Sequence, residues 1–415
     1  MDAKSIAEFF LIASFFTLPF SFAAHNIGFV GAVLFGALAM VQERSFASLK
    51  KDPLVRLLLL FFLLIGVFSL FSLSPWSEAL GTTFNKYLKL SISIVFIWIF
   101  HNQDTREKSL RAFFWGSLLV LALTFINLLD TPEWFPGSKS TWGDQTVAGN
   151  YITQGIMMSF FILACLYYLD RTKNLSRKIL LATLAVLASI SILYLSNGRT
   201  GYLTFFLGLF AYTIFRMPKK WLPFAMTGIL LITAVAFSTS DRIQQRYELA
   251  KNETLLLFEQ SRQAQTPNLT SIGARWYMWM QSVEIFKESP LIGWGLGSHG
   301  IKWCERTTTP EWCDVGDTTP HNQFLFFATE MGIFGLGWFL LLLGTLLRTA
   351  WQSREYRPLM MGFIAIFIGD SLVNASLWNA REYNFFIIMM CLLHASARFA
   401  TTPSLPHRYA DNPAA

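Results

Sequence analysis

Three residues with related chemistry stand at junctions between apolar and polar sequence. Arg199 lies in Leu195-Ser-Asn-Gly-Arg199-Thr-Gly-Tyr202, a tight turn between two apolar stretches. Arg275 lies in Ser271-Ile-Gly-Ala-Arg275-Trp-Tyr277, and His321 follows Pro320 at the start of another apolar stretch. Arginine near a span end commonly snorkels to the interface, but its planar fork is also the side chain best suited to bidentate phosphate recognition. The glycines on either side of Arg199 point to close backbone approach to a ligand. Cations beside His321 disfavour its protonated form, leaving a neutral imidazole able to accept a proton. Two arginines could hold a phosphate group, and the histidine could serve as a general base.

Such groups must be positioned by something, and the composition says what. Of 415 residues, 53% are hydrophobic and only 14% charged, with 40 Phe and 14 Trp; the mean hydropathy is +0.42. A soluble domain carries about 25% charged residues, so this is an all-α polytopic membrane protein. A disordered chain, a disulfide scaffold and a nucleic-acid-binding domain are excluded. The net charge of +7 reads as topology rather than as an anionic partner.

Spans of about 20 apolar residues fall near 7–23, 26–42, 56–74, 84–100, 112–129, 151–169, 179–196, 201–216, 221–237, 323–347, 359–378 and 384–398, about twelve in all. Alternate connections collect 20 Lys and Arg on one side, counting Lys4, Arg398 and Arg408, against five on the other: Lys86, Lys89, Lys139, Arg199 and Arg381. The positive-inside rule then puts both termini in the cytoplasm. Ser21-Phe22-Ala23 offers small residues for cleavage, but Lys4 alone is a poor leader and a second span follows at once, so the first stretch is expected to stay. The organisation is 1–237 with spans one to nine, a long loop 238–322 on the far side, 323–398 with three more spans, and a cytoplasmic tail 399–415. Within the loop, helices are expected near 241–262, with Asp241 as N-cap, and near 273–289. There Trp276, Met280, Val283 and Phe286 make one apolar stripe for the membrane face or the bundle mouth.

Cys165 and Cys391 lie in spans, whereas Cys304 and Cys313 share the loop, where a disulfide would pin a hairpin. Leu291-Ile-Gly-Trp-Gly-Leu-Gly297 has the glycine spacing of a nucleotide loop without a βαβ unit around it, and reads as a flexible turn rather than a phosphate cradle. Asp370 and Asn374 stand one turn apart, Asp370 being the acid placed well inside a span, where an ionisable group is a functional candidate or an internal partner. Glu305, Glu311, Asp314 and Asp317 read as a solvated acidic loop, and no metal site is expected.

Ser196-Asn-Gly-Arg199-Thr-Gly, then Arg275-Trp276 leading to Ser289-Pro-Leu-Ile-Gly-Trp-Gly-Leu-Gly297, then His321-Asn322-Gln-Phe-Leu ahead of Glu330-Met-Gly-Ile-Phe-Gly335, resemble the O-antigen ligase/polymerase superfamily. The likeness in order and spacing covers about 195–340; the earlier spans match in hydropathy only. It implies a membrane glycosyltransferase of the bacterial inner membrane with its active site on the periplasmic side. The donor would be a glycan on undecaprenyl diphosphate and the acceptor lipid A–core, in membrane lipid, with no cofactor, metal or nucleic acid. By the same resemblance His321 would be the base and Arg199 and Arg275 the catalytic diphosphate clamp of a direct inverting displacement. Lys86, Lys89 and Arg381 would be further diphosphate contacts, unless they snorkel. A ligase is preferred to a polymerase, which extends the carrier-linked glycan, because one long far-side loop late in the chain holds an Arg and the His. A protein oligosaccharyltransferase would carry a folded C-terminal domain. A lipid-linked-sugar transporter would show internal repeats or charged midplane helices, and neither pattern is apparent. Sugar identity and oligomeric state are not encoded in these motifs.

Overall fold

The computed structural model describes residues 2–129, 144–263, 268–307, 310–316 and 319–399. Among them the chain is all helix, without a strand. In chain order the helices are α1 (Ala3–Thr17), α2 (Phe22–Gln42), α3 (Phe46–Leu49), α4 (Pro53–Leu70) and α5 (Trp76–Glu78). A π-helical turn, Ala79–Phe84, leads into α6 (Asn85–Ile92), α7 (Ile94–Ile99), α8 (Gln103–Leu129), α9 (Tyr151–Arg171), α10 (Leu175–Leu195), α11 (Arg199–Arg216) and α12 (Leu222–Thr239). Then come α13 (Asp241–Arg262), α14 (Ser271–Glu288), α15 (His299–Arg306), α16 (Pro310–Gly316), α17 (Gln323–Gln352), α18 (Arg357–Val373) and α19 (Ala380–Phe399). Lys139, Asp317, Arg408 and all but the first residue of the expected tail fall outside the described residues.

Seven helices are long and apolar enough to cross a membrane: α2, α4, α8, α9, α10, α12 and α17. Each of the other five stretches expected to span also forms helix, but in a different form. α1 and α18 have 15 and 17 residues, and the stretch near 84–100 is broken into the π turn, α6 and α7. α11 opens and closes on Arg, and α19 carries Arg381, Glu382, Asn384 and His394. The physical reason is clearest in α19, which is buried along most of its length. Its polar groups meet protein rather than lipid: Thr153 donates to Glu382 at 2.5 Å, and His394 Nε2 lies 3.0 Å from Asp52. A helix enclosed by its own bundle need not be apolar all round.

Packing across the bundle is aromatic and close. Trp338 of α17 stacks on Phe61 of α4 with centroids 4.1 Å apart and donates its indole N–H to the Leu57 carbonyl at 2.8 Å. In lipid such contacts and hydrogen bonds, rather than expulsion of water, hold helices together. α9 and α11 meet through glycine: a Cβ on Gly155 would stand 2.8 Å from the Gly201 Cα. The glycines around Arg199 thus serve helix–helix approach, correcting the expectation that they make room for a ligand.

The Gly-rich segment 291–297 is neither a flexible turn nor a phosphate cradle. Gly293, Gly295 and Gly297 all have φ between 64 and 89°, and their amides are taken. The N–H groups of Trp294, Gly295 and Leu296 donate to the carbonyls of Thr329, Glu330 and Phe68 at 3.0, 2.8 and 3.1 Å, and Gly297 N–H donates to the Glu330 carboxyl at 2.7 Å. The segment is a wedge joining the end of α4 to α17, and α17 yields to it at Gly332, where φ is 60° and ψ −148°. That conformation is essentially restricted to glycine, and a Cβ there would sit 2.3 Å from the Leu291 oxygen. Gly332→Ala is therefore expected to cost at least about 1–3 kcal/mol, read as a lowered unfolding temperature in detergent; an unchanged melt would show that α17 straightens without loss.

The segment between α12 and α17 is helical. Ser240, not Asp241, caps α13, accepting the Ile243 N–H on its hydroxyl at 3.4 Å, because the helix already begins at Asp241. Thr270 caps α14 through the Gly273 N–H at 3.1 Å. α14 turns Gly273, Ala274, Met278, Ser282 and Ile285 inward and lies against α17. Its Trp276–Met280–Val283 stripe faces outward, with Trp276 44% and Met280 50% exposed, so the stripe is not what seals the bundle mouth. Cys304 and Cys313 form a disulfide between α15 and α16, beside the Trp303 indole N–H that donates to the Trp312 carbonyl at 2.7 Å.

Candidate active site

Arg199 begins α11 after the Ser196–Gly198 turn, which is held by the Tyr202 hydroxyl donating to the Ser196 carbonyl at 2.7 Å. Its guanidinium meets Glu253 of α13 at 3.1 Å. The same Glu253 oxygen accepts the Ile272 N–H at 3.2 Å, so one buried carboxylate fastens α11, α13 and the first turn of α14 together. Arg275, in the second turn of α14, donates from Nη1 to the Ser271 hydroxyl at 3.1 Å. Its Nε is buried without a hydrogen-bond partner among the described residues. Burial first, and then the Arg199 charge, depress its pKa, and the two guanidinium groups line one small space.

That space is a cavity of about 220 Å³ lined by Arg199, Thr200, Arg275, Trp276, Trp279 and Val373 among others. Its walls are mostly apolar, which strengthens electrostatic attraction of an anion to the arginines. A larger cavity of about 640 Å³ lies at the other end of the bundle, around Tyr167, Arg171 and Glu355; none of the residues selected from sequence lines it.

His321 stands behind the cleft rather than on its wall. It is one of two described non-glycine residues with positive φ, at 49°, a left-handed conformation rare outside glycine and concentrated at functional sites. The flanking residues enforce it. The Asn322 side chain accepts the Leu325 N–H at 3.0 Å to cap α17 and donates to the Leu372 carbonyl at 3.0 Å, pinning the turn to the end of α18. Burial, then the Arg275 charge, pull the His321 pKa down to about 4, against an opposing hydrogen bond to the Asn374 side chain. The imidazole is neutral at neutral pH.

Asn374 connects the parts. Its Nδ2 donates to Asp370 at 2.7 Å and lies 3.5 Å from the Thr200 hydroxyl beside Arg199. That leaves its carbonyl oxygen for the His321 ring, the amide orientation following from the network. Ser376 takes the second Asp370 oxygen at 2.6 Å. Asp370 is thus a fully buried acid whose two oxygens are bound to side chains, and it orients Asn374 toward the histidine.

The structure brings Arg199, Arg275 and His321 to one place, with Asp370 and Asn374 behind them. Lys86, Lys89 and Arg381 do not line the cleft. Lys86 Nζ sits 3.6 Å from the Trp378 ring centroid, Lys89 is 3.5 Å from Asn26 Oδ1, and Arg381 packs on Gly149 and over Phe22. Glu305 of the acidic loop is paired with Lys302 at 2.6 Å. Two residues escaped sequence reasoning. Glu253 had no signal, being one acid on a polar helix. Glu330 could have been found: it lies inside the tenth expected span and is fully buried, so Asp370 is not alone there.

Fold and cleft together define a helical membrane protein that gathers two arginines and a histidine at one end of its bundle. Residues 184–340 match the family model described as O-Antigen ligase, a match that supports membership of the O-antigen ligase/polymerase superfamily. Its function is of that general type, a glycosyltransferase-like membrane enzyme with a lipid-linked glycan as substrate. No curated protein sequence matches the chain. The matched segment holds Arg199, Glu253, Arg275 and His321; Asp370 and Asn374 lie beyond it.

Proposed function

We propose that this protein is an O-antigen ligase that moves a glycan from undecaprenyl diphosphate to lipid A–core on the periplasmic face of the inner membrane. The observation that carries the reading is the pair of guanidinium groups in an apolar cleft, one with an unpartnered buried Nε, beside an imidazole kept neutral. In this reading the chain crosses the membrane about twelve times with both termini in the cytoplasm, residues 238–322 lie in the periplasm, and the exposed Trp276 stripe rests on lipid.

The arginines hold the diphosphate and gain attraction as negative charge grows on it. The acceptor hydroxyl oxygen attacks the anomeric carbon from the face opposite the diphosphate. The anomeric C–O bond breaks with its electron pair leaving on undecaprenyl diphosphate, and the hydroxyl proton passes to His321 Nδ1 or Nε2. The configuration inverts. Asn374, held by Asp370, supports the imidazolium that forms. Diphosphate leaves readily, so the step as written needs no separate acid. Release of Arg199 from Glu253 to reach phosphate is part of donor binding.

Purified protein reconstituted with undecaprenyl-diphosphate glycan and lipid A–core, without nucleotide, tests this. The expected product is glycan on lipid A–core. Lengthened glycan on the carrier would make the protein a polymerase, and movement of intact lipid-linked sugar without transfer would make it a transporter.

A further inference from the structure

A second cavity is bordered by Trp378, five residues along the chain from the Val373 that lines the arginine cleft. It measures about 250 Å³ and is lined by Ser74, Glu78, Thr83, His299, Glu330 and Trp378, with glycine backbone between them. Four separate parts of the chain build it. Ser74 and Glu78 follow α4, and the Ser74 hydroxyl donates to Glu78 at 3.3 Å. Thr83 comes from the π turn, with its hydroxyl close to Gly297. His299 and Glu330 come from α15 and α17, and Trp378 ends the segment that Asn374 begins.

Its polar groups are arranged for a neutral, many-hydroxyl ligand. His299 is fully buried; its Nδ1 lies 3.2 Å from the Thr329 hydroxyl, and its Nε2 has no partner among the described residues. A buried unsatisfied ring nitrogen on a cavity wall costs free energy unless a ligand meets it. Glu330 holds the Gly297 N–H and the Tyr87 hydroxyl, at 2.7 and 3.2 Å. Each carboxyl oxygen accepts more than one hydrogen bond, so capacity remains on the cavity side. The Glu78 carboxylate in the lining makes the cavity a poor site for a phosphate. Hydroxyls, carboxylates and an imidazole around an aromatic wall instead match a sugar ring, with hydroxyls that donate and accept and C–H faces that are apolar.

The cavity is also tied to the histidine through α17. Gln323 accepts the Leu377 N–H at 2.8 Å, tying the segment that carries Trp378 to the first turn of α17. From Gln323 to Glu330 that helix rises about 10 Å. Val373 lines the arginine cleft and Trp378 lines this cavity, so one short segment joins the two.

We propose that this cavity binds a sugar ring of the acceptor, fixing which hydroxyl reaches His321. The inference rests on the transferase reading for the word acceptor, and on the cavity alone for the word sugar. The test uses core oligosaccharide released from lipid A by mild acid, titrated calorimetrically into the full-length protein in detergent. Glu78→Gln and Trp378→Ala are expected to raise its Kd about tenfold or more, while His321→Ala binds it as wild type does. Because Trp378 packs on Tyr87 and Phe326, Trp378→Phe and a melting curve accompany it, and Glu78→Gln stands alone if Trp378→Ala fails to fold. In the transfer assay the same variants should raise the acceptor KM and leave the donor KM unchanged. Equal Kd and acceptor KM in wild type and both cavity variants would overturn the proposal with the ligase intact, as would failure of wild type to bind the oligosaccharide. Binding lost in the cavity variants of a protein that transfers nothing would keep the sugar site and overturn the ligase.

Discussion

Replacing His321 with alanine is expected to lower turnover about 10²–10⁴-fold, the range for losing a positioned general base, with the KM for donor and acceptor little changed. The wild-type pH profile carries the sharper signature. A group that must be neutral to act loses activity as pH falls through its pKa. Burial and the Arg275 charge place that point for His321 near 4, well below the ordinary imidazole value of about 6.5. kcat/KM should therefore stay level from pH 8 to about 5 and decline only near 4. A decline centred near 6.5 would mean that the working imidazole is exposed, and so is not the residue held behind Asn374. An alanine variant that transfers at the wild-type rate would remove His321 from the chemistry and reduce its left-handed backbone to a turn geometry.

Arg275→Ala is the second large effect, expected at about 10²–10³-fold in turnover, the scale measured when one preorganised donor to a developing anion is removed. Arg275→Lys should recover only a small part, because a lysine returns the charge without the planar fork and without a counterpart for Nε. Arg275 is a cleaner probe than Arg199. Arg199→Ala also leaves Glu253, 8% exposed, buried without its cation, and breaking such a pair is destabilising in itself. One further readout separates a catalytic Arg275 from a packing one. Its charge is the second cause of the low His321 pKa, so in Arg275→Gln the acid limb of the residual activity should move upward from about 4, though not to 6.5, since burial remains. Full activity in Arg275→Ala would sink the diphosphate clamp.

The sequence made the class of fold legible because lipid leaves a backbone few options: long apolar runs must be helices, and they are. It was less informative about which helices stand alone in lipid. α18 and α19 are enclosed by neighbours, and enclosure relaxes the demand for apolar side chains that hydropathy measures. Arg199, Arg275 and His321 were legible since each sits where a polar group interrupts an apolar pattern. Glu253 was not, since the position that pairs it with Arg199 is set by how α13 folds back. Nor was the role of 291–297: glycine spacing records that the backbone is unusual, but not whether its amides face a ligand or, as here, the carbonyls of α4 and α17. Lys86, Lys89 and Arg381 stand outside the lining of the arginine cleft, a placement that their position in the sequence does not reveal.

The glycine wedge has a consequence for anyone recombining members of this superfamily. A segment such as 238–322 looks portable, a self-contained insert between two helices that could be exchanged to change what is transferred. It is not modular. Its Trp294–Leu296 turn is stitched through backbone amides to Phe68, Thr329 and Glu330, and the Ser72 hydroxyl donates back to the Leu296 carbonyl at 2.5 Å. The break at Gly332 is shaped to receive it. A chimera that swaps the insert alone would seat a foreign key in a lock cut into two other helices; the natural crossover unit includes residues 68–74 and 329–332 as well.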